Sequence, residues 1–189
     1  MKNQFLKLID RESSQLNVTI ITTASPKKEG NKFVQKAKKD FNEMGFQNVD
    51  FTDLEFENPG RLTQKNIIYI SGGNPFNLLY HTKKSGADEI LKNLASQNVI
   101  IVGVSAGAIL LGPHIKVVRF FTPQMNTLGI EDLSALNLTD KLIFPHYDRE
   151  DLFKDDKSKT IEDRIKEFEY LEKCEITRLN DDHSVSVIK

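Results

Sequence analysis

The chain has 189 residues, 39% of them hydrophobic and 28% charged, with a formal net charge of −1 at pH 7. That length can bury a full core as one domain over 1–189 without disulfides, and the near-neutral balance excludes a general attraction to nucleic acid or to an anionic membrane. No stretch is apolar for long enough to span a bilayer, the N-terminus lacks a secretory apolar region, and the lone Cys174 allows no internal disulfide and fits no metal-ligand spacing, which together point to a cytoplasmic protein.

Val18 to Thr23 reads as a buried strand, broken by Ala24-Ser25-Pro26. From Asn31 to Met44, apolar residues recur at helical spacing (Phe33, Val34, Ala37, Phe41, Met44), and Gly45 ends the helix. Val49 to Leu54 is a second strand, and Ile67 to Ile70 a third that runs into Ser71-Gly72-Gly73-Asn74. Phe76 to Lys84 and Ala87 to Ser96 read as consecutive helices broken near Gly86. The strand Asn98 to Val102 leads through Gly103-Val104-Ser105-Ala106-Gly107 into a helix beginning Ala108-Ile109-Leu110-Leu111. Leu142 to Phe144 is a short strand ending at Pro145-His146-Tyr147. Ile161 to Lys173 is an amphipathic helix with Ile161, Ile165, Phe168 and Leu171 on one face, and Cys174 packs near its end. Glu175 to Leu179 and Ser184 to Ile188 are expected to form a hairpin around Asn180-Asp181-Asp182-His183. Alternating strands and helices predict an α/β protein with a mostly parallel sheet flanked by helices. Such sheets bind ligands beyond the carboxyl ends of their strands. That rule places the glycine turn at Gly72-Gly73, the Ser105 segment and His146 on one rim.

Strand, G-x-S-x-G, then helix is the context of a nucleophile elbow, in which a tight, strained turn projects the serine from the sheet. The competing meaning of such a turn is phosphate binding or simple packing. A serine hydroxyl needs a base within reach. Of four histidines, His81 sits on a solvated helix face, His114 in a surface turn after Pro113, and His183 in an acidic surface turn. His146 follows an apolar strand and comes after the serine in chain order, as the base does in hydrolases with this elbow. Ser105 is therefore expected as nucleophile and His146 as base. The Ala106 amide supplies one oxyanion donor, and Gly73, whose backbone can approach a substrate closely, the second.

Three blocks, Gly72-Gly73-Asn74-Pro75-Phe76-Asn77-Leu78-Leu79, Gly103-Val104-Ser105-Ala106-Gly107-Ala108 and Pro145-His146-Tyr147, resemble peptidase E, the serine peptidase family that includes aspartyl dipeptidases and cyanophycinases. The resemblance implies a class I glutamine-amidotransferase-like three-layer sandwich, a small peptide substrate bound at Asn74, and no metal or organic cofactor. By that resemblance Ser105 and His146 are catalytic, and Gly73 and Ala106 form the oxyanion hole. In the aspartyl dipeptidases of the family a triad aspartate follows the serine, but here Ile115 to Pro123 contains no carboxylate, so Glu131 and Asp132 are the later candidates. The arginine that recognises an acidic side chain in those enzymes is replaced by Ile161, and Arg164 either matches a structural arginine or is brought near the substrate by one helical turn. This implies weak selectivity for Asp-headed dipeptides. A non-catalytic ligand-binding member of the fold, and an esterase or amidase, stay open as other functions, as do a monomer and a homodimer.

Overall fold

Every pairing in the sheets is parallel. In the computed structural model, which describes residues 5–9, 11–97, 99–154 and 159–187, four strands lie in the order β2-β1-β3-β4: β1 Asn17–Ile21, β2 Asn48–Thr52, β3 Ile67–Ile70 and β4 Ile100–Gly103. Their side chains alternate between two faces, as the pleat requires. Val18, Ile20 and Ile67 pack with Val34, Ala37 and Phe41 of helix α1 (Lys32–Glu43) on one side. Ile21, Ile68 and Ile70 pack on the other with Phe76, Leu78, Leu91 and Leu110. Those residues come from α2 (Pro75–Lys84), α3 (Ala87–Ala95) and α4 (Ala106–Leu111). The result is helix, sheet, helix.

The helix boundaries follow local chemistry. Asn31 caps α1 by accepting from the Phe33 amide. Asn74 caps α2 by accepting from the Phe76 and Asn77 amides, with Pro75 at the first helical position, where its missing N–H is harmless. The strand Asn98 to Val102 is realised as β4 two residues later, and Asn98 itself lies outside the described residues.

A separate two-stranded sheet pairs β5 (Leu142–Pro145) with β6 (Ile176–Leu179), Leu142 opposite Ile176 and Pro145 opposite Leu179. Helices α5 (Lys116–Phe121) and α6 (Ile161–Glu172) accompany it. The expected terminal hairpin is not formed. β6 pairs in parallel with β5 because Ile176 is buried in the main core with Phe144 and Phe168, whereas 184–187 are exposed and outside any strand. The last residue of the expected second strand, Ile188, lies outside the described residues.

The turn around Ser105 is built by close contacts that only glycine permits. A Cβ on Gly103 would lie 2.5 Å from the Gly107 carbonyl oxygen, and one on Gly107 would lie 2.2 Å from the Ile70 carbonyl oxygen. Both neighbours are backbone and cannot swing aside. Gly107→Ala is expected to cost about 3 kcal/mol or more, since β3 and α4 must separate; the midpoint of a urea melt would read it, and an unchanged midpoint would show that this contact relaxes freely.

Candidate active site

Ser105 caps the start of α4 at φ 53° and ψ −114°, a backbone conformation that costs a non-glycine residue on the order of 1–3 kcal/mol. It is held there from both sides: Val104 donates to the Ile70 carbonyl at 3.0 Å, and the Ser105 carbonyl accepts from Ile109 at 3.2 Å. The side chain lies on the rim at the carboxyl end of β4. The Gly72 backbone packs against it, so close that a Cβ there would sit 2.9 Å from the Ser105 Cβ and 3.3 Å from its Oγ.

His146 comes directly after β5 and also has positive φ, 60°. Its Nε2 lies 2.8 Å from Ser105 Oγ, and its Nδ1 lies 2.5 Å from Asp181 Oδ1. Asp181 stands two residues beyond β6. The parallel register places Pro145 opposite Leu179, and the Tyr147 amide donates to the Leu179 carbonyl at 3.2 Å, so the two strand ends deliver their next residues side by side. Serine, histidine and aspartate thus form one hydrogen-bonded chain. The His146 and Asp181 side chains keep 30% and 40% of their surface accessible, so the chain is open to solvent at its acidic end.

The sequence leaves the acid unassigned, and neither of its later candidates lies in this chain. Asp132 is bound by Lys83 at 2.6 Å and caps the Ser134 amide, and those hydrogen bonds hold its carboxyl below the usual range. The backbone carbonyl of Glu131 accepts from Arg119. The physical reason is topological: the 130–134 segment packs against Lys83 and Arg119, while the loop after β6 is carried to His146 by strand pairing. Sequence reasoning missed Asp181 by assigning it to a surface hairpin; its place just past a strand end, like that of His146, is the signal that could have found it.

Gly73 has φ 147°, and a Cβ there would lie 2.2 Å from the Ala24 carbonyl oxygen, so only glycine can occupy this turn. Among the described residues, neither the Gly73 nor the Ala106 amide has a hydrogen-bond acceptor, whereas the neighbouring Ser71 and Asn74 amides donate to Ile21 and Ala24. Two unpaired donors thus flank Ser105 in sequence and across the Gly72 contact. Asn74, expected at the substrate, has its Oδ1 engaged as the α2 cap and donates from Nδ2 to the Met125 carbonyl at 2.8 Å. Its side chain ties the glycine turn to the 123–125 segment.

The other candidates lie outside this chain. His81 is buried, correcting its placement on a solvated face: it lies 3.8 Å from Glu55, and burial pulls its proton affinity down. His114 is half-buried and burial lowers it too, while His183 is exposed. Ile161 is 1% exposed within the core, so its side chain does not reach a substrate. Arg164 donates to the Phe153 and Phe121 carbonyls and lies over the Phe121 ring, a structural role. A surface cleft of about 650 Å³ between α5 and α6 is lined by His114, Phe120, Phe168 and Leu171 and holds no member of the serine site. Among the described residues no group of three or more His, Cys, Asp or Glu side chains is placed to hold a metal ion, and no helix is long and apolar enough to cross a membrane.

Comparison with known proteins agrees with this architecture. The uncharacterized peptidase Lmo0363 of Listeria monocytogenes is 33% identical over 134 residues, 69% of this chain and 65% of that protein. The uncharacterized peptidase PM1590 of Pasteurella multocida is 31% identical over 135 residues, 69% and 65% of the two chains. Peptidase E of Streptomyces coelicolor is 29% identical over 108 residues, 57% and 43%. The matched region therefore spans less than two thirds of these relatives' own length. A crystal structure of a candidate peptidase E from L. monocytogenes superposes with a TM-score of 0.70 at 28% identity, covering 78% of this chain and 74% of the other. The description of peptidase family S51 matches residues 1–189. With a parallel α/β sandwich, a glycine-flanked serine at a strand end and a match along its whole length, the chain belongs to peptidase family S51.

Proposed function

We propose that this protein is a serine peptidase that cleaves small peptides through an acyl-enzyme. The observation that carries the reading is the hydrogen-bonded chain from Ser105 Oγ through His146 to Asp181. Ser105 Oγ attacks the scissile carbonyl carbon while His146 Nε2 takes its proton. The C–N bond then breaks, the same proton passes to the leaving amine, and an ester remains on Ser105. Water attacks that ester with His146 again as base, releasing the acid and restoring the hydroxyl. Asp181 holds the ring with its proton on Nδ1 and stabilises the imidazolium. The Gly73 and Ala106 amides are the donors for the oxyanion; free of other partners, they need no reorganisation when charge develops. Membership of the family and the peptidase names of the relatives support the same reaction. A lone cysteine, with no disulfide to maintain, supports a cytoplasmic setting.

Neither position that the resemblance offers for a recognising cation serves the substrate side chain in this reading. Ile161 is in the core and Arg164 is engaged with two carbonyls, so an ionised aspartate would lose hydration without gaining a paired charge. A panel of Asp-, Leu- and Ala-headed dipeptides tests both levels. Hydrolysis of the neutral substrates at least as fast as of the Asp-headed ones is expected. No hydrolysis of any peptide, together with no labelling by a serine-directed fluorophosphonate, would sink the peptidase reading. A strong preference for Asp-headed substrates would reverse the specificity assignment alone.

A further inference from the structure

The turn that follows His146 carries two side chains back to Asp181. The Arg149 amide closes it on the His146 carbonyl at 2.9 Å. From within it, Asp148 Oδ1 accepts from the Asp181 amide at 3.1 Å, and Arg149 Nη1 lies 3.4 Å from Asp181 Oδ2. The rest of the guanidinium is held by Asp151 in a two-pronged pair, Nε to Oδ1 and Nη2 to Oδ2, each at 2.8 Å. That pair holds the Asp151 carboxyl below its usual range and keeps Arg149 firmly protonated. The guanidinium is thus anchored on Asp151 and presents a single, longer contact to Asp181.

Asp181 needs such a contact. A triad acid is ordinarily buried, and burial fixes its rotamer; here 40% of the side chain is accessible. Resting on the triad reading above, we propose that Arg149 is a positioning residue for the reaction: anchored by Asp151, it holds Asp181 in the rotamer that faces His146 Nδ1. The anchoring matters in two ways. It stops the arginine from wandering in solvent, as exposed cations do. It also keeps the guanidinium from closing fully on Asp181, which leaves that carboxylate's charge available to the imidazolium. Among the described residues, the charged groups bonded to the pair are Asp148 and Asp151 from the loop after β5, and Asp182 and His183 follow Asp181 in the chain. Glu150, between them, is turned away to accept from the Ile161 amide at the start of α6.

The rate of fluorophosphonate labelling of the full chain, followed against pH, tests this without a known substrate. Arg149→Met is expected to slow labelling about tenfold, a small misplacement of the acid, and to move the acid limb of the profile to lower pH, because an Asp181 that swings away from Nδ1 no longer stabilises the charged ring; a shift to higher pH would mark a through-space charge effect and overturn the positioning role. Arg149→Lys should restore the position of that limb. Asp151→Asn, which frees the guanidinium to close on Asp181, should move it to lower pH. Thermal melting checks that each variant is folded. Labelling of Arg149→Met and Asp151→Asn at the wild-type rate with a superimposable profile would overturn the positioning role while leaving Ser105 a reactive serine. Failure of the wild type to label would overturn the triad reading and this proposal with it.

Discussion

Ser105→Ala is expected to lower kcat by about 10⁶-fold, the loss seen when a triad's nucleophile is removed, with fluorophosphonate labelling abolished. The variant should keep its fold. The strain at φ 53° belongs to the backbone and is the same for alanine, and the lost partner is a histidine that water can satisfy from its open side. Circular dichroism and a thermal melt separate inactivity from unfolding, and kcat on the best-cleaved dipeptide of the panel reads the chemistry. A folded Ser105→Ala protein that still hydrolyses peptides at more than trace rates would remove Ser105 from the reaction.

Asp181→Asn should lower kcat by about 10⁴-fold, the effect of holding a triad histidine in the wrong tautomer. An amide at this position can donate to His146 Nδ1, which drives the ring proton to Nε2. Nε2 then cannot accept from the Ser105 hydroxyl 2.8 Å away. The size of the loss distinguishes the acids. Asp132→Asn touches only the Lys83 and Ser134 contacts and should leave kcat near wild type. Parallel measurements of kcat for the two variants decide between them; a large loss in Asp132→Asn with little in Asp181→Asn would reverse the assignment.

The parts legible in the sequence are those written locally. β3 is delimited by Ile67 and Ile70 because an apolar run stops at a glycine turn, and the turn at Ser105 because two glycines bracket a serine between a strand and a helix. Ser105 and His146 come together because each ends a strand, a rule that needs no knowledge of which strands pair. Asp181 was not legible. It is 35 residues from His146, and its neighbours Asn180 and Asp182 have turn chemistry that favours a hairpin. Only the burial of Ile176 and the parallel pairing with β5, both long-range, bring it to the site. Ile161 shows the complementary error. Its place on the apolar face with Ile165 and Phe168 marks it as core, whereas the resemblance to the aspartyl dipeptidases puts it beside the substrate; its packing is that of a core residue.

Ser105 hangs from the four-stranded sheet, whereas His146 and Asp181 hang from the two-stranded one. No strand hydrogen bonds join these sheets among the described residues; they meet through side-chain packing and through α4, whose Leu110 carbonyl accepts from Leu136 and whose following Gly112 sits tightly against the Lys141 carbonyl. The proposed machinery is therefore divided between two sheets that share one core, so the alignment of Ser105 with His146 rests on side-chain packing rather than on a strand ladder.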